Sequence, residues 1–244
     1  MEKNNSMAIH IFPSGDEAIQ ALARFFIETA KNAIAERGVF NASLSGGSSP
    51  KKLYELLATE YGTAIDWNKA YFFFGDERYV PADHADYNAL MAKKALFDPL
   101  HIPAEQVFAV DTTLDPASAA SAYAESMTAH FKTIPIRFDL TLLGLGDDAH
   151  TASLFPHTPV LKEKEATIKS VFLTDKNVYR ITMTAPLINQ SRQIAFLTFG
   201  PSKAAAVSQV LKGEKNIEHY PAQLIEPAQG TASWFLDKSA TAQG

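Results

Sequence analysis

The chain has 244 residues, of which 46% are hydrophobic and 20% are charged, so it is long enough to bury a globular core. Its net charge of −5 argues against nucleic acid as a main partner, because phosphate backbones are bound by basic surfaces. The absence of cysteine excludes disulfides, thiolate catalysis and cysteine-ligated metal. No apolar run approaches the roughly 18 residues of a membrane span. The first six residues are polar, unlike a signal peptide, so the expected location is the cytoplasm.

Helical and strand patterns alternate along the chain. Residues 14–17 match a capping box and predict a helix that ends before Gly38. A short strand is predicted at Phe40–Leu44, and Ser49 followed by Pro50 predicts the N-cap and first position of the next helix. Further strands are predicted at residues 71–74, 138–143, 194–199 and 232–236, and further helices at residues 88–96, 117–131 and 202–211.

This alternation predicts an α/β fold with a mostly parallel, twisted sheet that has helices on both faces. The near-continuous apolar run at residues 71–74 is typical of a strand that is covered on both sides. Residues 163–184 differ, because they predict two strands with little helix between them, as in a small antiparallel subdomain. We expect residues 1–244 to form a single domain.

Four of the predicted strands run into glycine followed by polar or charged residues. These segments are residues 45–49, 75–78, 144–150 and 200–203. In open parallel sheets, ligands bind beyond the carboxyl ends of the strands. The four segments therefore predict one polar pocket at that edge of the sheet.

The first segment contains Gly46, Gly47 and Ser48. Their backbone N–H groups, at the start of a predicted helix, could bind a phosphate or carboxylate group. An ordinary strand-to-helix turn needs the same flexible residues, so the segment alone does not choose between these interpretations. It is neither a Walker A motif nor a dinucleotide fingerprint, because the required lysine and glycine spacings are absent.

Two cations follow the second and fourth strands. Arg78 carries a rigid guanidinium that suits phosphate oxygens, and Asp76 and Glu77 could orient it. The alternative is a surface salt bridge, which contributes little to stability. Lys203 is predicted at a helix N-terminus, where a cation opposes the helix dipole unless an anion is bound. Its alternative is a side chain that points into water.

His150 follows a buried strand in a loop that also contains Asp147 and Asp148. Histidine titrates near neutrality and can act as a general base, and a nearby carboxylate could fix its tautomer. A loop histidine held by local hydrogen bonds is the alternative, but the glycine- and aspartate-rich lead-in favours a functional role. The other histidines lack short ligand spacing, so no metal site is predicted.

Taken together and in order, these segments resemble the 6-phosphogluconolactonase family, which is related to glucosamine-6-phosphate deaminases. The resemblance spans nearly the whole chain. Its strongest motifs are LSGGSSP at residues 44–50, FGDERYVP at residues 74–81 and LGLGDDAHTASLFP at residues 143–156, with weaker ones at residues 180–184, 200–204, 221–223 and 234–237.

The resemblance implies a Rossmann-like fold of the sugar-phosphate isomerase type and hydrolysis of 6-phosphogluconolactone in the oxidative pentose phosphate pathway. It implies that His150 is the general base, with Asp148 as its support and no metal or cofactor. It also implies that Arg78 and Lys203 bind the phosphate, with Arg180 as a further candidate beside the glycine loop. The expected partner is a small-molecule substrate, without nucleic acid or membrane, and the expected assembly is a monomer or a weak homodimer.

The sequence departs from the family pattern at two positions. Ala149 stands where the family commonly has glycine, which is expected to exclude a backbone conformation that only glycine tolerates, without abolishing activity. Tyr87 and Asn88 stand where the family often has Ser-Asn, so Asn88 is a candidate substrate-binding residue at the pocket edge.

Two other functions compete with lactone hydrolysis. A deaminase of the same fold needs a glutamate after the histidine, and residues 151–156 contain no carboxylate. A non-catalytic sugar-phosphate sensor, such as the effector domain of a transcription regulator, normally needs a DNA-binding helix, and no basic recognition helix is evident.

Overall fold

The computed structural model describes residues 6–132, 135–227 and 229–241. Its strands are β1 (Ser6–Phe12), β2 (Phe40–Leu44), β3 (Ala70–Phe74), β4 (Asp76–Arg78), β5 (Leu140–Leu143), β6 (Ile168–Leu173), β7 (Val178–Met183), β8 (Gln193–Thr198) and β9 (Thr231–Asp237). Its α-helices are α1 (Gly15–Arg37), α2 (Ser48–Glu60), α3 (Asn88–Ala92), α4 (Pro116–Phe131), α5 (Ala185–Ile188), α6 (Ala204–Lys212) and α7 (Lys238–Thr241). Within these ranges, no helix is both long enough and apolar enough to cross a bilayer.

The main sheet has six parallel strands in the order β1-β9-β8-β5-β2-β3, which confirms the predicted fold class. From β2 the chain first moves outward to β3, and after β5 it moves in the opposite direction through β8 and β9. The strand order therefore reverses between β2 and β5. In open α/β sheets this reversal leaves a crevice at the carboxyl ends of the two strands, which is where ligands bind.

Apolar side chains alternate between the two faces of the sheet, as the period of a strand requires. Phe72 and Phe74 of β3 pack on the face that carries α1, α2 and α3, whereas Phe73 packs on the face that carries the later helices. All three rings are almost completely buried, and burial of each contributes about 1.5–3 kcal/mol. The sheet is thus covered on both faces, as the apolar run at residues 71–74 predicted.

The capping signals at the ends of α1 are confirmed. The Ser14 hydroxyl accepts a hydrogen bond from the Glu17 amide at 3.3 Å, and the Ser14 amide donates to the Glu17 carboxylate at 3.2 Å. Gly38 ends the helix in the left-handed conformation, with φ of +82°. The start of α2 was predicted two residues too late. Its N-cap is Gly47, whose φ of +109° makes the turn, so Pro50 lies in the first turn, where its missing N–H costs no hydrogen bond.

A second, antiparallel sheet has the order β4-β7-β6. It confirms the two strands predicted within residues 163–184 and adds β4, which was not predicted. The small sheet shares a hydrophobic cluster with the main one, since Val171 and Ile181 pack with Phe73 and Phe196. The edge strand β1 was not predicted either, because its pairing with β9 joins the two ends of the described chain. The remaining predicted elements are present with ends that differ by about two residues, except for the helix predicted at residues 88–96. That helix is α-helical over Asn88–Ala92 and continues as a π-helix over Lys93–Phe97.

Candidate active site

The four predicted strand ends meet in one cleft. β8, β5, β2 and β3 are neighbours in the sheet, so their carboxyl ends lie side by side at the point where the strand order reverses. The cleft has a volume of about 300 Å³. It is lined by Ser45, Gly46, Asp76, Arg78, Gly144, Leu145, Gly146, His150, Thr151, Ala152, Ser153, Phe155, Lys176, Arg180 and Lys203.

A histidine–aspartate pair lies in the loop after β5. Nδ1 of His150 is 2.5 Å from Oδ1 of Asp148, and the His150 amide donates to the same oxygen at 3.1 Å. Partial burial raises the pKa of Asp148, but the hydrogen bonds from His150 outweigh burial and lower the pKa to about 2. Because the ionised carboxylate only accepts hydrogen bonds, Nδ1 carries the hydrogen. Nε2 is therefore the ring nitrogen that can accept a proton from a substrate or water.

The plane of the His150 ring is fixed by an aromatic contact. The rings of His150 and Phe155 stack with centroids 4.0 Å apart and an angle of 21° between their planes. The ammonium of Lys176 lies 4.6 Å from the centroid of the Phe155 ring. The imidazole is thus held at one nitrogen by Asp148 and across its face by Phe155, which leaves few alternative orientations.

The backbone of this loop makes a tight turn. The Gly146 amide donates to the His150 carbonyl at 2.8 Å, and the Ala149 amide donates to the Gly146 carbonyl at 3.0 Å. Ala149 has a φ of +61°, in the left-handed region. Alanine at this position therefore adopts a left-handed conformation that glycine favours but that other residues also reach. An L-residue reaches this region at a cost of about 1–2 kcal/mol, and the buried methyl group of Ala149 offsets part of it.

Gly146 leaves the space that the histidine–aspartate pair occupies. A Cβ atom at this position would collide with Nδ1 of His150 and would lie 2.6 Å from Oδ1 of Asp148. We expect Gly146→Ala to lower kcat about 100-fold, because a displacement of about 1 Å at a catalytic group has that effect. Steady-state kinetics would measure it, with Gly75→Ala as the control, since a Cβ there makes only ordinary van der Waals contacts and Gly75 does not line the cleft. Equal rates for the two variants would contradict this role.

Two arginines face each other across the small sheet. Arg78 of β4 is the direct partner of Arg180 of β7, and like charges at such positions destabilise a sheet. Burial lowers the pKa of Arg180, and the neighbouring charge of Arg78 lowers it further. The Arg78 guanidinium donates to the Asp86 carbonyl at 3.2 Å, which leaves other N–H groups for a ligand. A bound anion between the two arginines would relieve their repulsion.

Lys203 reaches the cleft from the loop after β8. Its ammonium lies 2.5 Å from Oδ1 of Asp147, and the Ser202 hydroxyl donates to the same oxygen at 3.4 Å. The alternative in which Lys203 points into water is therefore wrong. Because the ion pair is partly exposed, an incoming phosphate group can compete with Asp147 for the ammonium.

Asp76 and Asn88 build the wall behind the glycine loop. Ser153 donates from its hydroxyl to the Asp76 carboxylate at 2.6 Å, and the Asn88 amide group donates to the Asp76 carbonyl at 2.9 Å. Asn88 is buried and packs so closely on Gly46 that a Cβ atom there would collide with its side-chain amide. Asn88 thus positions the loop from behind and does not line the cleft.

Glu77 does not orient the Arg78 guanidinium as the sequence suggested. Its fully buried carboxylate accepts hydrogen bonds from the backbone amides of Arg78, Asn88 and Ala89 at 2.8, 2.7 and 3.0 Å. Burial raises the pKa of Glu77 to about 8, although these hydrogen bonds oppose the shift. The carboxylate therefore fixes the start of α3 and the backbone of β4 on which Arg78 is carried.

Residues 13–234 match the sequence model of a family described as glucosamine-6-phosphate isomerases/6-phosphogluconolactonase. The chain belongs to this family. The match includes all ten predicted site residues. It also includes both strands that carry Arg78 and Arg180.

Relatives in this family match the chain over most of their length. A 6-phosphogluconolactonase from Nostoc sp. is 40% identical over 240 residues, covering 96% of this chain and 97% of the relative. One from Synechocystis sp. is 44% identical over 216 residues, covering 85% and 86%. A rice relative described as a probable chloroplastic 6-phosphogluconolactonase is 35% identical over 94% of this chain. The solved structure of 6-phosphogluconolactonase from Trypanosoma cruzi superposes with a TM-score of 0.87 at 27% identity, covering 98% of this chain and 97% of that one.

The structure brings six of the predicted site residues into the cleft, namely Gly46, Asp76, Arg78, His150, Arg180 and Lys203. Asp148 contributes through His150. Gly47 and Ser48 are exposed and lie outside the cleft lining. Lys176, in the turn between β6 and β7, lines the cleft and was missed, because only the hairpin brings it to Phe155.

The cleft of this family member has the character of an anion site. Arg78, Arg180, Lys176 and Lys203 line it, together with a single carboxylate, Asp76. Among the described residues, no group of three or more histidines or acids could hold a metal ion. The side chains that meet here can therefore bind a phosphate group and move a proton.

Asp148 should also make the stability of the protein depend on pH. Its pKa is about 2 in the folded state against an ordinary value of 3.8, so its stabilising contribution is complete above 3.8 and is lost as pH falls through this window. We expect the free energy of unfolding of wild type to fall more steeply than that of Asp148→Asn over this range. Urea titrations would measure it, with the exposed Asp83→Asn as the control. Parallel curves for wild type and Asp148→Asn would contradict the prediction.

Proposed function

We propose that this protein is a cytoplasmic, single-domain enzyme that hydrolyses 6-phosphogluconolactone to 6-phosphogluconate, with His150 as the general base. The observation that carries the proposal is the placement of the His150–Asp148 pair in the same cleft as Arg78, Arg180 and Lys203. A proton acceptor and a phosphate-binding surface are thereby presented to one small molecule. The relatives and solved structures named as 6-phosphogluconolactonases support the same activity.

Binding begins with the phosphate group. The facing guanidinium groups of Arg78 and Arg180 offer N–H donors that match phosphate oxygens, and Lys203 adds a third charge. The phosphate relieves the repulsion between the arginines, so the site is unfavourable when empty and favourable when filled. Fixing the phosphate holds the lactone ring in the same cleft as His150.

Hydrolysis then needs one acid–base group. Nε2 of His150 removes a proton from water as the water oxygen attacks the lactone carbonyl carbon, C1. When the tetrahedral intermediate collapses, the bond between C1 and the ring oxygen breaks and the imidazolium returns its proton to that oxygen. The products are a carboxylic acid and a hydroxyl group on one chain. Asp148 stabilises the imidazolium, and proton transfer of this kind contributes about 10²- to 10⁴-fold.

The developing oxyanion needs donors inside the cleft. The Gly146 amide already donates to the His150 carbonyl, and the Ser45 amide donates to the Tyr54 hydroxyl at 3.0 Å. The Gly46 amide lines the cleft and has no acceptor within the described part of the chain. We assign it as one donor to the oxyanion.

The activity is tested by generating 6-phosphogluconolactone in place from glucose-6-phosphate and following its opening at mildly acidic pH, where the spontaneous reaction is slow. Acceleration over buffer supports the proposal, and a rate equal to that in buffer alone would refute it. Glucosamine-6-phosphate is the control substrate, because the loop after His150 lacks the carboxylate that a deaminase needs. Turnover of that substrate alone would move the protein to the other branch of its family.

The proposed assembly is a monomer or a weak homodimer. The edge strand β1 exposes Met7, Ile9 and Ile11, which are 45–52% accessible. This short apolar row is small for a permanent interface. Sedimentation velocity over a concentration series tests the proposal, and a dimer that does not dissociate on dilution would contradict it.

A further inference from the structure

A second cationic cleft lies at the amino ends of the parallel strands, opposite the candidate active site. Three arginines line it, each from a different part of the fold. Arg37 lies in the last turn of α1, Arg137 lies before β5, and Arg192 lies immediately before β8. The cavity between them has a volume of about 370 Å³, enough for a small anion.

The acids around these arginines do not balance their charge. The buried Asp139 accepts hydrogen bonds from the Asn41 amide at 2.8 Å and from Nε of Arg37 at 3.0 Å. Nε of Arg192 lies 3.4 Å from the oxygen that Arg37 already uses. The second acid, Glu36, is 66% exposed at the rim and pairs with Arg37. Three guanidinium groups thus face two carboxylates, both of which are already engaged.

Arg137 and Arg192 each have N–H groups that make no hydrogen bond to the described residues. Arg137 donates from Nε to the Gln190 carbonyl at 3.1 Å and from a terminal nitrogen to the Gln229 carbonyl at 2.9 Å, so neutral groups hold it in place. Nε of Arg192 is buried and has no hydrogen-bond partner among the described residues. Burial lowers the pKa of Arg137, and the charges of Arg192 and Arg37 lower it further. Nε of Arg192 has only an ion-pair contact with a carboxylate that Arg37 shares, so the three guanidinium groups carry positive charge that a bound anion would offset.

We propose that this cleft binds a phosphate group between Arg137 and Arg192. Arg137 is held by two backbone carbonyls and Arg192 lies beside Asp139. Their planar guanidinium groups suit the oxygens of a tetrahedral dianion better than a single carboxylate does. The bound phosphate neutralises the excess charge and links β5 to β8. Inorganic phosphate and a phosphate monoester share this chemistry, and the experiment below distinguishes between the two as ligands.

Solution NMR of the intact protein tests the site without reference to catalysis. Wild type is titrated with inorganic phosphate, and in a second arm with glucose-6-phosphate, while backbone amides are followed in both clefts. The site predicts saturable shifts at Gln193 and Gly230, which line the second cleft. Arg137→Gln is expected to lower the phosphate affinity obtained from these shifts at least ~10-fold, because one charge-assisted hydrogen bond is lost. Shifts at Gly46, in the first cleft, should be unchanged, and Arg24→Gln is the charge-matched control on the exposed side of α1.

Three outcomes would overturn the proposal. One is the absence of saturable shifts at Gln193 and Gly230 in wild type, which requires no variant and therefore does not depend on whether Arg137→Gln folds. Another is the same shifts with sodium chloride at equal ionic strength, which would show general screening. The third is an unchanged affinity in Arg137→Gln. Saturation by inorganic phosphate alone supports a site for the free ion, whereas saturation in both arms supports a site that also accepts a phosphorylated metabolite.

Discussion

Replacing His150 by alanine is expected to lower kcat for lactone hydrolysis by about 10²- to 10⁴-fold, the contribution of a well-placed acid–base group. KM should change little, because the cations proposed to bind the phosphate lie on other elements of the fold. The loss should be in kcat because, in the proposed mechanism, Nε2 of His150 acts on water and on the ring oxygen only while bonds to these atoms form and break. Initial rates at several substrate concentrations, corrected for spontaneous opening, would separate kcat from KM.

The matched control for this variant is His101→Asn. His101 is exposed and has a φ of +54°, which asparagine tolerates, so the exchange removes a histidine without altering the cleft. It should retain full activity. If His150→Ala retained wild-type kcat while the enzyme still accelerated the reaction, the activity would stand and the general base would have to be another group. A loss of activity accompanied by a loss of folded structure would be detected by circular dichroism and would not support the assignment.

The location of the site could be predicted from the sequence because its signals are local. Apolar runs end in glycine after β2, β3, β5 and β8, and parallel pairing places the ends of these strands at one edge. The motif around His150 adds Asp148, whose contact spans only two residues. Such patterns join residues that are close together in the sequence, so they can be recognised without the structure.

Other parts of the site depend on contacts between distant residues. Lys176 enters the cleft only because β6 and β7 form a hairpin that folds over it, and no motif marks the turn. β4 has only three residues, all of them charged, so it lacks the apolar pattern of a strand. The role of Glu77 was misjudged for a related reason. In the sequence it stands beside Arg78, but alternation along β4 directs it to the opposite, buried side.

Replacing Arg78 by alanine is expected to raise KM by about 10- to 100-fold, with a much smaller effect on kcat. The reason is the loss of charge-assisted hydrogen bonds to the substrate phosphate, which contribute about 1.5–3 kcal/mol. The facing residue Arg180 remains, so binding is weakened but not abolished. Steady-state kinetics gives the KM, and calorimetric titration with 6-phosphogluconate gives the affinity without turnover.

The control is Arg24→Ala, which removes a positive charge from an exposed position on α1 and should leave KM unchanged. The stability of the Arg78→Ala variant provides a second, independent test of the role of Arg78. Because Arg78 and Arg180 repel each other in the absence of a ligand, removing Arg78 should cost little stability and should make 6-phosphogluconate a poorer stabiliser against heat. A large loss of intrinsic stability together with an unchanged KM would assign Arg78 to the structure of the small sheet. A small loss of intrinsic stability together with a raised KM would mean that the two arginines are held in an arrangement that is unfavourable alone and becomes favourable when the phosphate group binds.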